Sequence, residues 1–216
     1  MSKLLITGFG PFDGPLNASQ VLVESLAGDP PPALAALAGR LALHVFTCDR
    51  ATLQAQLEAV LERERPTLCL FLGQARGSSR LGLERLATNL LDFSRPDAAG
   101  HQPRGERIDP RGPAAYWSTL PRSDELIAAW QAAGISAGFS NHAGNHLCNQ
   151  LLYLALHRAA ASDGAPRCGF LHLPLLPEQS RGRRDDSARM PLAMSRTASV
   201  IALQVLIGGA GRQPPG

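Results

Sequence analysis

Apolar and polar positions alternate along the chain in blocks whose length and period predict strands and helices in turn. Short unbroken apolar runs, typical of strands buried on both faces, precede longer segments with apolar residues three or four positions apart. The predicted strands cover Leu4–Thr7, Arg40–Cys48, Thr67–Gly73, Ile135–Ser140 and Cys168–Leu176. The predicted helices cover Val21–Gly28, Ala51–Arg65 before Pro66, Asp124–Gly134, a segment beginning near Cys148, and Met190–Gly209.

Strands that alternate with helices predict the α/β class, as a single-domain open α/β/α sandwich with a mainly parallel, mixed and twisted sheet. The 216 residues suit one domain with one sizeable core. Residues 28–39, with three adjacent prolines, predict a loop, and residues 209–216 a frayed tail. Residues 81–119 are too long for a plain connection, so we expect an excursion with hairpin character near the functional site.

Unusual sequences follow four of the predicted strands. In a sheet of this kind, ligands bind outside the carboxyl ends of the strands. The segments at those ends are "GFGPFDG", "GQARG", "SNHAGNHLC" and "HLPLLPEQ". We therefore expect them to meet at one edge of the sheet and to form the functional site there.

Charge and composition exclude several classes of protein. The net charge is +3, and the dense basic cluster, Arg181–Asp186, contains two aspartates, so a solvated loop is favoured over a nucleic-acid surface. Lys3 is the only lysine, which argues against a Walker A loop and against Schiff-base chemistry. No apolar run approaches the roughly 18 residues of a membrane span. The start of the chain does not resemble a signal peptide, so we expect a cytoplasmic protein.

The cysteines differ in their surroundings. Cys48, Cys69, Cys148 and Cys168 are widely spaced without a CxxC pair, which predicts free thiols in a cytoplasmic protein. Cys148 is unusual because Asn145 is a good N-cap candidate, which would place Cys148 third in the helix. The positive end of a helix favours a thiolate. The alternative is a structural cysteine, in a buried stripe with Leu152 and Leu156.

A thiolate nucleophile needs an acid–base partner and a group that orients it. His172, in the apolar run "GFLHLPLLP", is the best candidate for the partner, since an unpaired histidine would be costly to bury there. Glu84 is the candidate for the orienting group. The alternatives are a hydrogen-bonded core histidine and a glutamate on an exposed strand face, paired with Arg80 or Arg85.

Two other ligand-binding patterns are weaker. His142, His146 and Cys148 suggest a zinc site, but Gly144 lies where the helix should begin and no carboxylate motif completes the set, so no metal is predicted. "GFGPFDG" has Asp13 where a dinucleotide fingerprint needs its third glycine, so no cofactor is predicted. Phe9 and Phe12 suggest instead an apolar slot for a flat ligand, or a loop anchored in the core.

Taken together, these segments resemble the pyroglutamyl peptidase I (pyrrolidone-carboxylate peptidase) family of cysteine peptidases. The similarity covers nearly the whole chain and keeps the order of the motifs. The similar segments are "LLITGFGPFDGPLNAS", "LGLERLATNLLDFSRPDAAGHQP", "SNHAGNHLCNQLLY" and "GFLHLPLLPEQ". The resemblance implies an open α/β/α sandwich, hydrolysis of the amino-terminal pyroglutamyl residue of peptides without a cofactor, and a homo-oligomer, a dimer or tetramer.

The resemblance also implies roles for individual residues. Cys148 would be the nucleophile, His172 the general base and acid, and Glu84 the orienting group. The implied substrate-binding residues are Phe9, Phe12, Asn17, Gln74, Arg85 and His146.

The chain departs from the family at His146, where an aromatic Phe or Tyr is usual. This departure leaves a thiol amidase or hydrolase for another small acyl group as one alternative to the pyroglutamyl peptidase. A second alternative, from a different class, is a non-catalytic protein that binds a pyrrolidone-like ligand.

Overall fold

A computed structural model of the chain describes residues 3–12, 14–35, 37, 39–180 and 189–208. The strands are β1 (Leu4–Phe9), β2 (Leu41–Phe46), β3 (Leu68–Gln74), β4 (Leu81–Glu84), β5 (Leu86–Thr88), β6 (Ala115–Trp117), β7 (Ala137–Ser140) and β8 (Arg167–Leu173). The helices are α1 (Ala18–Gly28), α2 (Pro32–Ala35), α3 (Leu53–Glu64), α4 (Ser123–Ala132), α5 (Leu147–Ala160) and α6 (Leu192–Gly208), with a 3₁₀ turn at Pro177–Ser180.

Six strands form one mixed sheet in the order β2-β1-β3-β8-β4-β7. The four strands β2, β1, β3 and β8 are parallel to one another. β4 pairs antiparallel with β8, and β7 pairs parallel with β4. The mainly parallel sandwich predicted from the alternation of strands and helices is therefore confirmed.

Each face of the sheet is covered by its own apolar layer, because alternate residues of a strand point to opposite faces. On β1, Leu4 and Ile6 pack into the layer that includes Trp130 of α4. Leu5 and Phe9 pack into the opposite layer, which includes the buried leucines of α3 and α5. None of the helices in the described part of the chain combines the length and the apolar character that a membrane crossing requires.

Two predicted connections differ in detail. The loop predicted for residues 28–39 contains the short helix α2, which begins at Pro32, a residue favoured in a first helical turn. The hairpin character of the excursion is confirmed, because β5 and β6 pair antiparallel in a separate two-stranded sheet. The predictions for Arg181–Asp186 and for residues 209–216 fall outside the described residues.

The expectation that four strand ends share one edge is wrong for β7. The register that pairs Glu84 of β4 with Ser140 of β7 and with Phe170 of β8 directs β7 against β1, β3 and β8. The segment after Ser140 nevertheless lines one cavity with Gln74 and His172, so the expected meeting of these segments holds although β7 runs in the opposite direction. The apolar pattern of a strand does not record its direction, so the sequence alone could not reveal this reversal.

The approach of α1 to β1 gives a prediction about stability. A Cβ atom at Gly8 would lie 2.6 Å from the carbonyl oxygen of Ser19, which belongs to the helix backbone and cannot move alone. We expect Gly8→Ala to lower the free energy of unfolding by about 1–3 kcal/mol, the usual cost of overpacking. Urea denaturation monitored by circular dichroism measures this change.

Gly10→Ala is the matched control, because its Cβ would lie 3.5 Å from the carbonyl oxygen of Phe46, at ordinary contact distance. Equal midpoints for the two variants would contradict the steric argument.

Candidate active site

Cys148 lies in the first turn of α5. His146 is the N-cap residue, and its carbonyl oxygen accepts a hydrogen bond of 3.1 Å from the N–H of Gln150. The prediction of Asn145 as the N-cap is therefore wrong by one residue, and Cys148 is second in the helix. The carbonyl oxygen of Asn145 instead accepts a hydrogen bond of 3.1 Å from the N–H of Asp92, in the excursion. The N–H groups of a first helical turn have no intrahelical acceptors and can donate to a ligand.

The excursion holds the start of α5 through Asn149, a residue that the sequence did not single out. The Asn149 side chain is buried and accepts from the N–H of Thr88 at 2.8 Å. It also donates to the carbonyl oxygens of Thr88 and Leu90, at 2.8 and 3.0 Å. The residue beside Cys148 is thus fixed to Thr88 of β5 by three hydrogen bonds, one of them from the Thr88 hydroxyl, and to Leu90 by a fourth. The asparagine in "CNQ" was the available signal.

The other end of α5 is also attached to the excursion. The Tyr116 hydroxyl and Nδ1 of His157 are hydrogen bonded at 2.7 Å. Nε2 of the same histidine lies 3.2 Å from a carboxylate oxygen of Asp109. The helix that carries Cys148 is therefore held near both of its ends by residues 86–117.

A glycine on β3 makes room for the predicted catalytic cysteine. In the sheet register, Gly73 of β3 and Gly82 of β4 are the partners of His172 on β8. A Cβ at Gly73 would lie 2.9 Å from Sγ of Cys148 and 2.7 Å from the Phe170 ring. Any larger residue at position 73 would therefore push the sulfur or the ring away, a role that the sequence analysis missed.

Glu84 and His172 form a buried pair. Their Oε1 and Nδ1 atoms are 2.7 Å apart, and 2% of the Glu84 side chain and 12% of the His172 side chain are exposed. The second carboxylate oxygen, Oε2, is buried without a hydrogen-bond partner among the described residues. The carboxylate fixes the ring orientation and leaves Nε2 for the third member of the group.

That third member is Cys148. Burial lowers the pKa of His172, but the nearby sulfur of Cys148, a hydrogen bond with that thiol and the Glu84 carboxylate together raise it to about 10. His172 therefore stays protonated at neutral pH, which stabilises a thiolate beside it. Cys148 is also the one cysteine of the four that is not buried.

Two cavities meet at Cys148, and the first is lined mainly by apolar atoms. This apolar cavity has a volume of about 220 Å³. Five of the six predicted substrate-binding residues line it. The lining consists of Phe9, Phe12, Asn17, Cys48, Gln74, Arg76, Ser94, Arg95, His146, Leu147 and Cys148.

Asn17 and Gln74 are fixed by the fold. Oδ1 of Asn17 accepts from the N–H of Ser19 at 3.0 Å and so caps α1, while its Nδ2 donates to the carbonyl oxygen of Gly10. Oε1 of Gln74 accepts from the N–H of Ala18 at 3.1 Å and from Nε2 of Gln179 at 2.9 Å. Gln179 holds Gln74 in place and was not predicted, although it lies in the "PEQ" segment at a sheet edge.

The His146 ring belongs to an aromatic wall of the apolar cavity. It is stacked on Phe93, with ring centroids 3.7 Å apart, and lies 4.7 Å from Phe12. Its Nε2 lies 3.3 Å from the carbonyl oxygen of Arg95. Burial lowers the pKa of His146, so the ring is neutral at pH 7 and can replace an aromatic side chain in this wall.

Arg85 lies apart from the other predicted site residues and lines neither cavity beside Cys148. Its Nε donates to Oδ1 of Asn141 at 2.8 Å, and its guanidinium lies 4.9 Å from the centre of the Phe139 ring. Side chains alternate along β4 and its continuation, so the residue after Glu84 points to the other face of the sheet.

One group of side chains within the described residues could hold a metal ion: Asp49, Asp97 and His101. It does not include His142, His146 or Cys148, the set weighed from the sequence. The carboxylate of Asp97 already accepts from the N–H groups of Arg50, Ala99 and His101 at 2.8–3.0 Å. These hydrogen bonds satisfy the buried Asp97 carboxylate, so the folding of the loop accounts for its burial.

The buried Glu84–His172 pair gives a prediction about pH. Glu84→Gln removes the negative charge and keeps an oxygen that can accept from Nδ1, so the pKa of His172 should fall from about 10. The expected decrease is roughly 1–3 pH units, as for the loss of an adjacent opposite charge. Titration of the histidine ring protons by NMR measures it, with Glu24→Gln on α1 as the control. An unchanged pKa would show that Glu84 contributes no charge stabilisation.

Comparison with known proteins agrees with this geometry. A family model described as pyroglutamyl peptidase matches residues 2–213. The pyrrolidone-carboxylate peptidase of Vibrio vulnificus is 39% identical over 188 residues, 87% of this chain and 85% of that protein. The pyrrolidone-carboxylate peptidase of Mycobacterium tuberculosis is 37% identical over 217 residues, 99% of this chain and 94% of that protein.

Solved structures show the same fold. The pyrrolidone carboxyl peptidase of Thermococcus litoralis superimposes with a TM-score of 0.86 at 29% identity, over 97% of this chain and 94% of that one. A mutant pyrrolidone carboxyl peptidase from Pyrococcus furiosus gives 0.86 at 31% identity, over 96% and 99%. Family model, relatives and fold agree over nearly the full length, and the chain belongs to the pyroglutamyl peptidase family of cysteine peptidases.

Proposed function

We propose that this protein is a cysteine exopeptidase that removes the amino-terminal pyroglutamyl residue from peptides. The observation that carries the proposal is the meeting of Cys148, His172 and Glu84 beside a small apolar cavity. The pyroglutamyl ring is flat, uncharged and without a free amine, so an apolar slot suits it better than an acidic one.

The reaction begins with the Cys148 thiolate, which attacks the carbonyl carbon of the pyroglutamyl residue. The N–H groups of the first turn of α5 stabilise the oxyanion. His172 donates a proton from Nε2 to the leaving nitrogen, the C–N bond breaks, and the acyl group stays on sulfur as a thioester. The neutral imidazole then takes a proton from water, whose oxygen attacks the thioester. Pyroglutamate leaves, and thiolate and imidazolium are restored.

Glu84 orients His172 and keeps it protonated until the proton is transferred to the leaving nitrogen. The reaction requires no cofactor, because the chain supplies nucleophile, acid, base and oxyanion donors.

The apolar cavity holds the acyl group. We assign the pyrrolidone ring to the space between the Phe9–Phe12 segment and His146, with Asn17 and Gln74 shaping the rim. Arg85 supports the site indirectly, since it holds Asn141 in the segment that leads from β7 towards Cys148. The neutral, stacked state of His146 favours the pyroglutamyl assignment over a different acyl specificity.

The test is release of fluorophore from pyroglutamyl-aminomethylcoumarin under reducing conditions. We expect cleavage by the wild type and a loss of about 10⁴-fold or more in kcat for Cys148→Ala, as for removal of a nucleophile. Cys168→Ala is the control, because it removes a buried thiol that lines neither cavity beside Cys148. A folded wild type without activity would refute the pyroglutamyl assignment, and other acyl groups or binding alone would then be tested.

We also propose a cytoplasmic homo-oligomer, a dimer or a tetramer. A reducing compartment suits a protein with four free cysteines whose nucleophile must stay reduced. Trp117 on β6 is 67% exposed, and tryptophan is enriched at interfaces between protein chains, which supports association between copies. Light scattering after size exclusion should give two or four times the mass of one chain, and a monomer at micromolar concentration would contradict this.

A further inference from the structure

The second cavity at Cys148, the polar cavity, has a volume of about 600 Å³. The polar cavity also includes His172 and Glu84, which the apolar cavity does not. The residues that line both cavities are Gln74, Arg76, Ser94, His146 and Cys148. His172 protonates the leaving nitrogen in the proposed reaction. The polar cavity is therefore on the side where the rest of the peptide leaves, and the inference below rests on that proposed function.

The charges around this cavity are mainly positive. Arg76 and Arg80 are the arginines of its lining, and Glu84 is the one carboxylate among the described lining residues. The Glu84 carboxylate is already hydrogen bonded to His172 at 2.7 Å. A leaving group that enters the cavity thus meets the Arg80 guanidinium, and the described lining residues offer it no carboxylate other than that of Glu84.

Arg80 is held in a specific position at the cavity. Its guanidinium crosses β7 at Gly138, where a Cβ would lie 2.5 Å from Nη1 and 2.9 Å from Cζ. Its Nη2 donates a hydrogen bond of 3.4 Å to the carbonyl oxygen of Phe139. A carbonyl oxygen carries no net charge, so this bond positions the guanidinium without neutralising it. Because Gly138 on β7 has no side chain, the Arg80 guanidinium can lie over this strand.

We propose that the polar cavity selects pyroglutamyl peptides whose residue next to the pyroglutamyl group carries a carboxylate, with Arg80 as the residue that recognises it. Guanidinium and carboxylate groups match in charge and in geometry. The carboxylate can come from an acidic side chain at that residue or from the carboxyl terminus of a dipeptide. Both offer the same chemistry close to the scissile bond.

Three substrates of matched shape test the proposal: pyroglutamyl-glutamine amide as the uncharged reference, pyroglutamyl-glutamate α-amide with a side-chain carboxylate, and pyroglutamyl-glutamine with a free carboxyl terminus. Because the arginine is exposed, we expect kcat/KM to be about three- to fivefold higher for a charged substrate than for the reference at low ionic strength. The advantage should disappear near 1 M salt, where the Debye length is about 3 Å. The two charged substrates distinguish the two sources of the carboxylate.

Variants assign the effect to Arg80. Arg80→Gln should bring the ratio of charged to uncharged kcat/KM to about one. Gly138→Ala, which keeps the charge but displaces the guanidinium, should lower the same ratio. Arg158→Gln makes the same change of net charge near the other end of α5 and should keep the wild-type ratio.

Each contrary result has a definite meaning. Equal kcat/KM for the three substrates, with the reference cleaved, would overturn the proposal and leave the peptidase function intact. A ratio preserved in Arg80→Gln, or lost equally in Arg158→Gln, would overturn the assignment to Arg80. If none of the three substrates were cleaved, the proposed function would fail and the inference with it.

Discussion

The chemistry of this site depends on how closely the first turn of α5 approaches the sheet. Sγ of Cys148 lies where a side chain at position 73 would otherwise be, and His172 is flanked in the register by Gly73 and Gly82. No side chain fits at position 73 without displacing this sulfur or the Phe170 ring, so Cys148 can lie close to His172 and its partner Glu84. The positive end of the helix and the imidazolium then both stabilise a thiolate at Cys148.

The helices, the strands and the mainly parallel character of the sheet follow from local patterns. Apolar runs such as Thr67–Gly73 are long and uninterrupted, and Pro66 and Gly134 mark where helices stop. The resemblance to the family supplied the pairing of Glu84 with His172. That pairing joins strands distant in the sequence, and no local period encodes it, although the buried contact between them is present in the structure.

Features that depend on contacts between residues far apart in the sequence were not predicted from the sequence. The helix begins at Leu147 because the carbonyl of Asn145 is held by Asp92, far away along the chain. The reversed direction of β7 follows from its pairing with β4 and not from its own residues. The resemblance implied that Arg85 belongs to the substrate site beside Glu84, yet strand geometry turns the two neighbouring side chains to opposite faces. Gly73 contributes through the absence of a side chain, and so it carries no chemical group that could mark it in the sequence as part of the site.

The attachment of α5 to residues 86–117 has a consequence for how the site fails. Asn149 and His157 tie the helix to a segment whose regular structure consists of the short strands β5 and β6. Local unfolding follows the stability of each region and not that of the whole molecule. The stability of the active site therefore depends on that of residues 86–117. Local unfolding of this segment would inactivate the site while the six-stranded sheet and the apolar layer around Trp130 remained folded.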